Sequence, residues 1–297
     1  MFKLQNVLFL RNNLFGLKLA RINAQQQHQM HTKCSQQAYT WKSEILANEF
    51  SLLTDEKMNS APFRFIQPLL RHFSERVNNM ENVGGFKEPI PVQYLNDLSC
   101  SMMKNIQFST SMTDDSEWFR KLKFVDQDFI MANVSSEKLE EGFWYERHIC
   151  ETSQVPTRFN NLHDFYGFLI WMTFPKTKRL FNLLHNQNML ERDNPHCKKR
   201  SPTQNFLTLF DECGVLVCIE ENHFEELKSL LYNMEFKELF WKRREVVEEN
   251  MLFINFGHSI LEMLTMRPYI GYTTKFTAVP VNSETCKSLI ANFCSQR

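Results

Sequence analysis

The chain has 297 residues, of which 43% are hydrophobic and 13% aromatic, and its 34 basic side chains balance 34 acidic ones. A chain of this length and composition can bury a substantial core, which excludes intrinsic disorder as its general description. Only 8 residues are glycine whereas 27 are phenylalanine, so the composition disfavours glycine-rich phosphate loops, predicts no nucleotide cofactor and favours packed helices.

The first 43 residues contain basic side chains but no acidic one, since the first acidic residue is Glu44. Within the first 22 positions, apolar residues alternate with Arg and Asn, as an amphipathic targeting helix requires. The longest unbroken apolar run there, Val7 to Leu10, is shorter than a membrane span, which takes about 20 residues. We therefore predict a mitochondrial presequence over 1–43, a linker over 44–60 and a location in the mitochondrial matrix. The alternative is an N-terminal extension without a targeting role.

Net charge and cysteine spacing argue against nucleic-acid binding and against cysteine-based metal or redox sites. Cleavage near residue 35 would leave 29 of the 34 basic side chains against 34 acidic ones. An acidic body does not favour binding along a nucleic-acid backbone, which draws on clustered positive charge. The 8 cysteines show no CxxC spacing, so neither a zinc ribbon nor a redox dithiol is predicted.

The body begins at Ala61, and its first part reads as amphipathic helices with two brief strands. Helical spacing of apolar residues covers 61–80 and 91–103, and a helical pattern returns over 137–150. Short apolar alternations near residues 106–108 and 122–124 predict strands.

A capped, almost wholly apolar helix is predicted next. Asn161 is placed to cap it, and Asp164 stands at the third helical position. From Leu162 to Phe174 nearly all faces of the predicted helix are apolar, which is typical of a helix at the centre of a domain. Pro175 then begins a second helix with its leucines on one face. The basic side chains of that helix are expected to point outward: Lys176, Lys178 and Arg179.

Residues 205–219 predict a β-hairpin, in which FLTLF and VLVCI are joined by a connection from Asp211 to Gly214. Two surface helices are predicted over 225–231 and 237–247, followed by a buried segment at 251–256 that is either a strand or the entry to a helix. A short helix from Gly257 to Leu264 completes the pattern. The predicted fold class is therefore α+β: a single helix-dominated domain over 61–297, with a central buried helix pair and a small β-hairpin.

Two histidines are candidates for chemistry, because an unpaired charge in such apolar surroundings costs several kcal/mol. His163 and Asp164 lie near the amino end of the buried helix and could form an acid/base or metal-binding pair. His258 and Glu262 are four residues apart, so on a helix they share a face and could bind one divalent metal together with His163. The alternatives are a helix cap with a core hydrogen bond for the first pair and a helix-surface contact for the second.

Asp211 and Glu212 offer paired carboxylates at the predicted hairpin apex, for proton transfer or a hard cation, although turn chemistry alone would also explain them. Arg158 and Asn161 are candidate substrate-binding residues. The planar guanidinium of Arg158 suits an anionic substrate group, but it suits the carboxylate of Asp164 equally well.

Several short motifs occur in order along the chain: YE (145–146), VPTR (155–158), NLHDF (161–165), FPKTK (174–178), LTLFDECG (207–214), FGHSILE (256–262) and PY (268–269), with Trp171 and Asn182. By these motifs the chain resembles family 3025 of the domains of unknown function, which consists mostly of bacterial proteins. The resemblance covers about Ala61 to Thr277 and implies a domain without implying a reaction. Three positions depart from the family pattern, with Gly167 in place of Asn, Met263 in place of Lys and Lys275 in place of His. These departures imply a weakened or inactive member if those groups serve catalysis elsewhere in the family.

Two functions follow as hypotheses. The first is a mitochondrial-matrix enzyme of hydrolase type, acting on a small-molecule substrate through a His/carboxylate site or a divalent metal. The second is a non-catalytic binding or assembly protein that has a protein partner in a mitochondrial complex. The convergence of the candidate residues in one pocket would favour the first.

Overall fold

A computed structural model of the chain describes residues 63, 65–71, 92–103, 115–136, 144–158, 160–191, 199–266 and 272–294. The predicted presequence, the linker and the predicted strand near residues 106–108 lie outside these ranges. The described residues form a helix-dominated α+β domain, as the sequence predicted, and their strands make two small sheets.

The elements of the first half, in chain order, are α1 (Val92–Met103), α2 (Asp115–Lys121), β1 (Lys123–Asp126), α3 (Gln127–Asn133), α4 (Trp144–Thr152), β2 (Gln154–Thr157), α5 (Leu162–Thr173) and α6 (Pro175–Leu190). Those of the second half are α7 (Pro202–Cys213), β3 (Gly214–Glu220), α8 (Phe224–Tyr232), α9 (Arg244–Asn250), β4 (Met251–Asn255), α10 (His258–Met266), β5 (Lys275–Val281) and α11 (Ser283–Cys294). A 3-10 turn precedes α8 at Glu221–His223, and a π-helical turn precedes α9 at Glu238–Lys242.

Helix α5 is the centre of the main core, as predicted. The side chain of Asn161 caps it by accepting the backbone N–H of Asp164 at 3.0 Å. Eight of its 12 residues are buried, and each large apolar side chain removed from water contributes about 1.5–3 kcal/mol. The helix ends at Phe174 because Pro175 begins α6 as its first residue.

Helix α6 buries the face that was predicted to be exposed. Arg179 is buried and Lys178 nearly so, whereas Leu180 and Leu183 are exposed. The prediction that Lys178 and Arg179 point outward was therefore wrong. The reason is that partners inside the domain compensate both charges: the guanidinium of Arg179 lies 4.0 Å from the centre of the Trp118 ring, and Lys178 forms an ion pair within the candidate site.

The predicted hairpin at 205–219 was wrong in its first half, since residues up to Cys213 form helix α7. Ser201 and Gln204 close a capping box at its start, and Pro202 occupies the first helical position. Leu207 and Phe210 then fall three apart on the buried face. The helix-start signal lies in the polar residues before FLTLF, which reads as a strand when it is considered alone.

The second half of the predicted hairpin is strand β3, the middle strand of a three-stranded sheet with the order β4-β3-β5. β4 runs antiparallel to β3, with Val217 opposite Phe253, and β5 runs parallel, with Val217 opposite Ala278. A smaller hydrophobic core forms where this sheet packs against α8 and α9. The strand at 251–255 and the helix from residue 258 agree with the sequence prediction.

A close contact between two backbone segments, 212–214 and 256–257, determines how α7 and α10 pack against each other. The backbone N–H groups of Phe256 and Gly257 both donate to the carbonyl oxygen of Gly214, each at 2.9 Å. A Cβ atom added at Gly257 would lie 2.5 Å from the carbonyl oxygen of Glu212 and 2.6 Å from the Cα atom of Cys213. Only glycine fits here, and the close approach places the end of α7 directly against the start of α10.

No helix in the described ranges is both long and apolar enough to cross a membrane.

We expect the Gly257→Ala substitution to destabilise the fold by about 1–3 kcal/mol, because the new methyl group meets backbone atoms that cannot move without opening this contact between the two segments. Gly167→Ala is the matched control. Its Cβ atom would meet nothing within 4 Å, and the change removes a glycine from a helix interior, which is worth about 0.5–1 kcal/mol in the stabilising direction. Urea denaturation measures both; equal stability of the two variants would contradict the close packing at Gly257.

Candidate functional site

Three helix ends meet at one cavity of about 990 Å³. The amino end of α5 contributes His163, the carboxyl end of α7 contributes Glu212, and the amino end of α10 contributes His258. Six of the residues predicted from the sequence line it: Arg158, His163, Asp164, Asp211, Glu212 and His258. Residues that are up to 100 positions apart in sequence are thus brought to one place.

The two histidines face each other. The Nε2 atom of His163 lies 2.9 Å from the Nε2 atom of His258, and the ring centres are 4.4 Å apart with the planes inclined by 72°. The other nitrogen of each ring has its own partner. His163 Nδ1 lies 2.8 Å from a carboxylate oxygen of Glu262, and His258 Nδ1 lies 2.8 Å from the backbone carbonyl oxygen of Asp211.

These partners determine where the ring protons sit. A carbonyl oxygen can only accept, so His258 Nδ1 carries a hydrogen, and the same holds for His163 Nδ1 beside an ionised Glu262. Two neutral rings would then point the lone pairs of their Nε2 atoms at each other over 2.9 Å. That contact is favourable only when a proton or a metal cation lies between the two nitrogens.

Glu212 adds a third donor. One of its carboxylate oxygens and one ring nitrogen from each of His163 and His258 all lie within 4.8 Å of one another. The hydroxyl group of Ser259 donates a hydrogen bond to Glu212 and lies 3.4 Å from His163 Nδ1. Glu262 is not a member of this set of three; its carboxylate contacts Nδ1 of His163 instead.

The contact of Ser259 also excludes a serine-type triad through this histidine. In such a triad the hydroxyl and the carboxylate bind different ring nitrogens. Here Ser259 and Glu262 both approach Nδ1 of His163, while Nε2 faces His258.

The surroundings shift the pKa values of the two histidines in opposite directions. Burial alone would lower the pKa of His163, but the hydrogen bond to Glu262 and the negative charges of Glu262 and Glu212 raise that pKa above its ordinary value. Burial lowers the pKa of His258, and the opposing charge of Asp211 does not restore it. A proton between the two Nε2 atoms therefore belongs to His163, which donates it in a hydrogen bond to Nε2 of the neutral His258.

Asp164 is held by Arg158. The backbone N–H of Arg158 donates to Asp164 at 2.6 Å, and the guanidinium adds two further bonds at 3.0 and 2.7 Å. The Arg158 side chain is 47% exposed, so it is held at the cavity wall with part of its surface accessible. The side chain of Asn161 serves as the helix cap and is not among the lining residues.

Asp211 is paired with Lys178 of α6 at 2.6 Å, and both side chains are largely buried. Burial would raise the pKa of Asp211, but Lys178, with help from His258, lowers it below its ordinary value. The aspartate therefore remains ionised, and the pair ties α6 to the end of α7 beside the histidines.

Several polar residues that line the cavity had no predicted role. Glu146 accepts two hydrogen bonds from the Asn182 amide, one to its backbone oxygen and one to its carboxylate. Lys178, Asn182 and His185 lie at positions i, i+4 and i+7 of α6 and all line the cavity. Their spacing indicates one face of the helix and could have identified them as lining residues. The leucines of α6 pointed instead to the other face as the buried one.

The three positions expected to depart from the family pattern lie in different surroundings. Gly167 lines the cavity, and a Cβ atom there would meet nothing within 4 Å, so a larger side chain would have room. Met263 packs against the main core, and Lys275 is buried at the start of β5. Of the three, Gly167 is therefore the position at which a side chain would change the cavity itself.

We expect Lys178→Met to destabilise the protein by about 3 kcal/mol, because it leaves the carboxylate of Asp211 buried without its counter-charge. Lys176→Met is the control, since Lys176 is exposed two residues away on the same helix, and its loss should change stability by less than about 0.5 kcal/mol. Thermal and urea unfolding measure both variants. If the two lose equal stability, the ion pair does not hold α6 in place.

Comparison with known proteins gives one assignment. No curated protein and no solved structure matches the chain. The model of the family described as "Protein of unknown function (DUF3025)" matches residues 124–293, which is more than half of the chain. The match begins after the start of the expected range at residue 61, extends past its end at residue 277, and contains both histidines with Glu212 and Glu262. The chain is therefore a member of the DUF3025 family.

Proposed function

We propose that the protein is a metal-dependent hydrolase in which His163, His258 and Glu212 hold one divalent cation, most simply zinc. The observation that carries this proposal is the pair of Nε2 atoms facing each other at 2.9 Å, with the Nδ1 atom of each ring already bonded to an acceptor. Two histidines and a carboxylate with a position left open are a known ligand set for catalytic zinc.

The donor set fits such an ion with small adjustments. Two nitrogens bound at about 2.1 Å in a tetrahedral site lie about 3.4 Å apart, so the rings would separate by a few tenths of an ångström from their 2.9 Å contact. When bound, zinc supplies a water molecule of lowered pKa and polarises a substrate oxygen. The cavity gives that position access to a substrate.

Neighbouring groups would keep the three ligands in place. Glu262 orients the His163 ring and raises its basicity, and the carbonyl oxygen of Asp211 does the same for His258. Ser259 holds the carboxylate of Glu212. Glu262, which shares a helix face with His258, is therefore assigned to support His163 rather than to bind the metal.

The same residues support a metal-free form of the proposal. His163 and Glu262 would then act as a proton carrier, with His258 accepting the proton through Nε2. The third donor, Glu212, favours the metal, because a proton shared between two imidazoles does not require a carboxylate within 4.8 Å of both.

We also propose that the protein works in the mitochondrial matrix, on the basis of the acid-free first 43 residues. Replacing Arg11, Lys18 and Arg21 by glutamate in the full chain should abolish import into mitochondria, as followed by a fluorescent tag at the carboxyl end. Import of the triple variant at the original level would contradict this location.

The second candidate is a non-catalytic binding or assembly protein of a mitochondrial complex. It is favoured by an exposed pair of aromatic rings, Phe240 and Phe253, whose centres lie 5.9 Å apart, and by Trp241 next in the chain, which is 77% exposed. Exposed apolar patches of this kind often mark protein contacts. A bound metal in the cavity would count against a purely structural role.

We expect the purified protein to contain one equivalent of zinc, manganese or iron by elemental analysis. The Glu212→Gln variant, which keeps the shape of the side chain, should lose the metal because it removes a charged ligand. Glu262→Gln should retain the metal but bind it about 10–100-fold more weakly. Hydrolysis of p-nitrophenyl esters and phosphates should stop on treatment with a chelator and return on addition of stoichiometric metal.

His223→Ala is the control for histidine content, since His223 lies in the 3-10 turn and does not line the cavity. It should change neither metal content nor rate. A protein that takes up no divalent metal on dialysis would contradict the metal site, and one that binds metal but hydrolyses no substrate would contradict the catalytic assignment alone.

A further inference from the structure

The inward face of α6 carries polar side chains where leucines would ordinarily pack. Pro175, Arg179, Asn182 and His185 are its buried residues, while Leu180, Leu183 and Leu190 are exposed. Burying polar groups is costly unless each has a partner. Arg179 and Asn182 have protein partners, and the exception is His185.

His185 is only 5% exposed and lines the cavity, yet its Nδ1 atom is buried and has no hydrogen-bond partner among the described residues. Nδ1 is buried in the protein, so Nε2 is the ring nitrogen left to contact a ligand in the cavity. Nδ1 is unpaired in either tautomer, and we assign the hydrogen to Nε2, because a buried N–H without an acceptor is the rarer defect. His185 therefore offers an N–H donor to whatever occupies the cavity.

Charges of both signs lie near this donor. Burial lowers the pKa of His185; the carboxylates of Glu146 and Asp211 oppose that shift, and Arg200 and Lys178 reinforce it. The ring is thus neutral at neutral pH, with cationic side chains among its neighbours. Lys199 and Arg200 are exposed and line the same cavity, where they are accessible to an entering ligand.

The charges of the cavity wall are balanced without a ligand. Its lining contains four cations and four carboxylates: Arg158, Lys178, Lys199 and Arg200 against Glu146, Asp164, Asp211 and Glu212. Two of the carboxylates are neutralised by ion pairs, Asp164 by Arg158 and Asp211 by Lys178. A divalent cation at His163, His258 and Glu212 would add positive charge to the wall and strengthen the binding of an anionic ligand.

We propose that His185, Lys199 and Arg200 bind an oxyanion group of the substrate, phosphoryl or carboxylate, so that the hydrolysed molecule is a small anion. Nε2 of His185 donates to the anion inside the cavity, and the two cationic side chains neutralise it from the exposed side. The inference rests on the proposed function only for the position of the scissile bond, which would lie towards His163 and His258. Binding of the anion itself requires no metal.

The test is calorimetric titration of the full chain with inorganic phosphate and, separately, with acetate, in chelator-treated and zinc-loaded protein. Saturable binding of either anion to the chelator-treated protein is expected, and the preferred anion identifies the phosphoryl or the carboxylate source. The Lys199→Ala/Arg200→Ala double variant should weaken binding by at least about tenfold. His185→Phe should weaken it as well, because it removes the donor and keeps a ring of similar size.

The matched control is Lys242→Ala/Arg244→Ala, which removes two cations paired with surface glutamates outside the cavity. It should bind both anions like the unaltered protein. An equal loss in the control and the Lys199/Arg200 variant, or no saturable binding of either anion, would overturn the proposal. Anion binding that depends on Lys199, Arg200 and His185 in a protein that takes up no zinc would sustain this inference and refute the metal-dependent function.

Discussion

The candidate site depends on one close approach of two backbone segments. The N–H groups of Phe256 and Gly257 share the carbonyl oxygen of Gly214, and Gly257 has no room for a Cβ atom beside Glu212 and Cys213. This contact sets the last turn of α7 against the first turn of α10. Glu212 and the carbonyl oxygen of Asp211 thereby come within reach of His258 and Ser259. A larger separation at this point would remove the site without removing any of its side chains.

The second constraint is electrostatic, because two helices present their amino ends to the same cavity. His163 lies in the first turn of α5 and His258 begins α10, and the positive end of each helix dipole disfavours a charged imidazole. Glu262 and Glu212 act against this field at His163, whereas burial reinforces it at His258. His163 thus accepts a proton readily, whereas His258 remains neutral and keeps a lone pair on its Nε2 atom. Such asymmetry suits a proton relay, whereas a metal bound between the rings would keep both Nε2 atoms free of protons.

The elements that the sequence predicted correctly are those whose signals are local. The cap at Asn161, the apolar circumference of α5 and Pro175 at the start of α6 each act within one helical turn. Helix α7 was missed because FLTLF alternates like a strand, while the capping box that decides its structure lies at Ser201 and Gln204. The inward face of α6 was predicted wrongly, because spacing favours its leucine face and its polar face alike, and the partners that stabilise the polar face are distant in sequence: Trp118, Glu146 and Asp211.

The four-residue spacing of His258 and Glu262 was interpreted correctly, but the partner that both side chains contact was not predicted. Four residues apart on α10, the two side chains do point to one side, as helical geometry requires. Their common target is the imidazole of His163: His258 approaches its Nε2 atom and Glu262 its Nδ1 atom. A single ring is therefore fixed in position and tautomer by two groups of one helix, across 95 and 99 residues of sequence. The carboxylate left to complete a metal site is then Glu212, which only the contact between α7 and α10 could bring there.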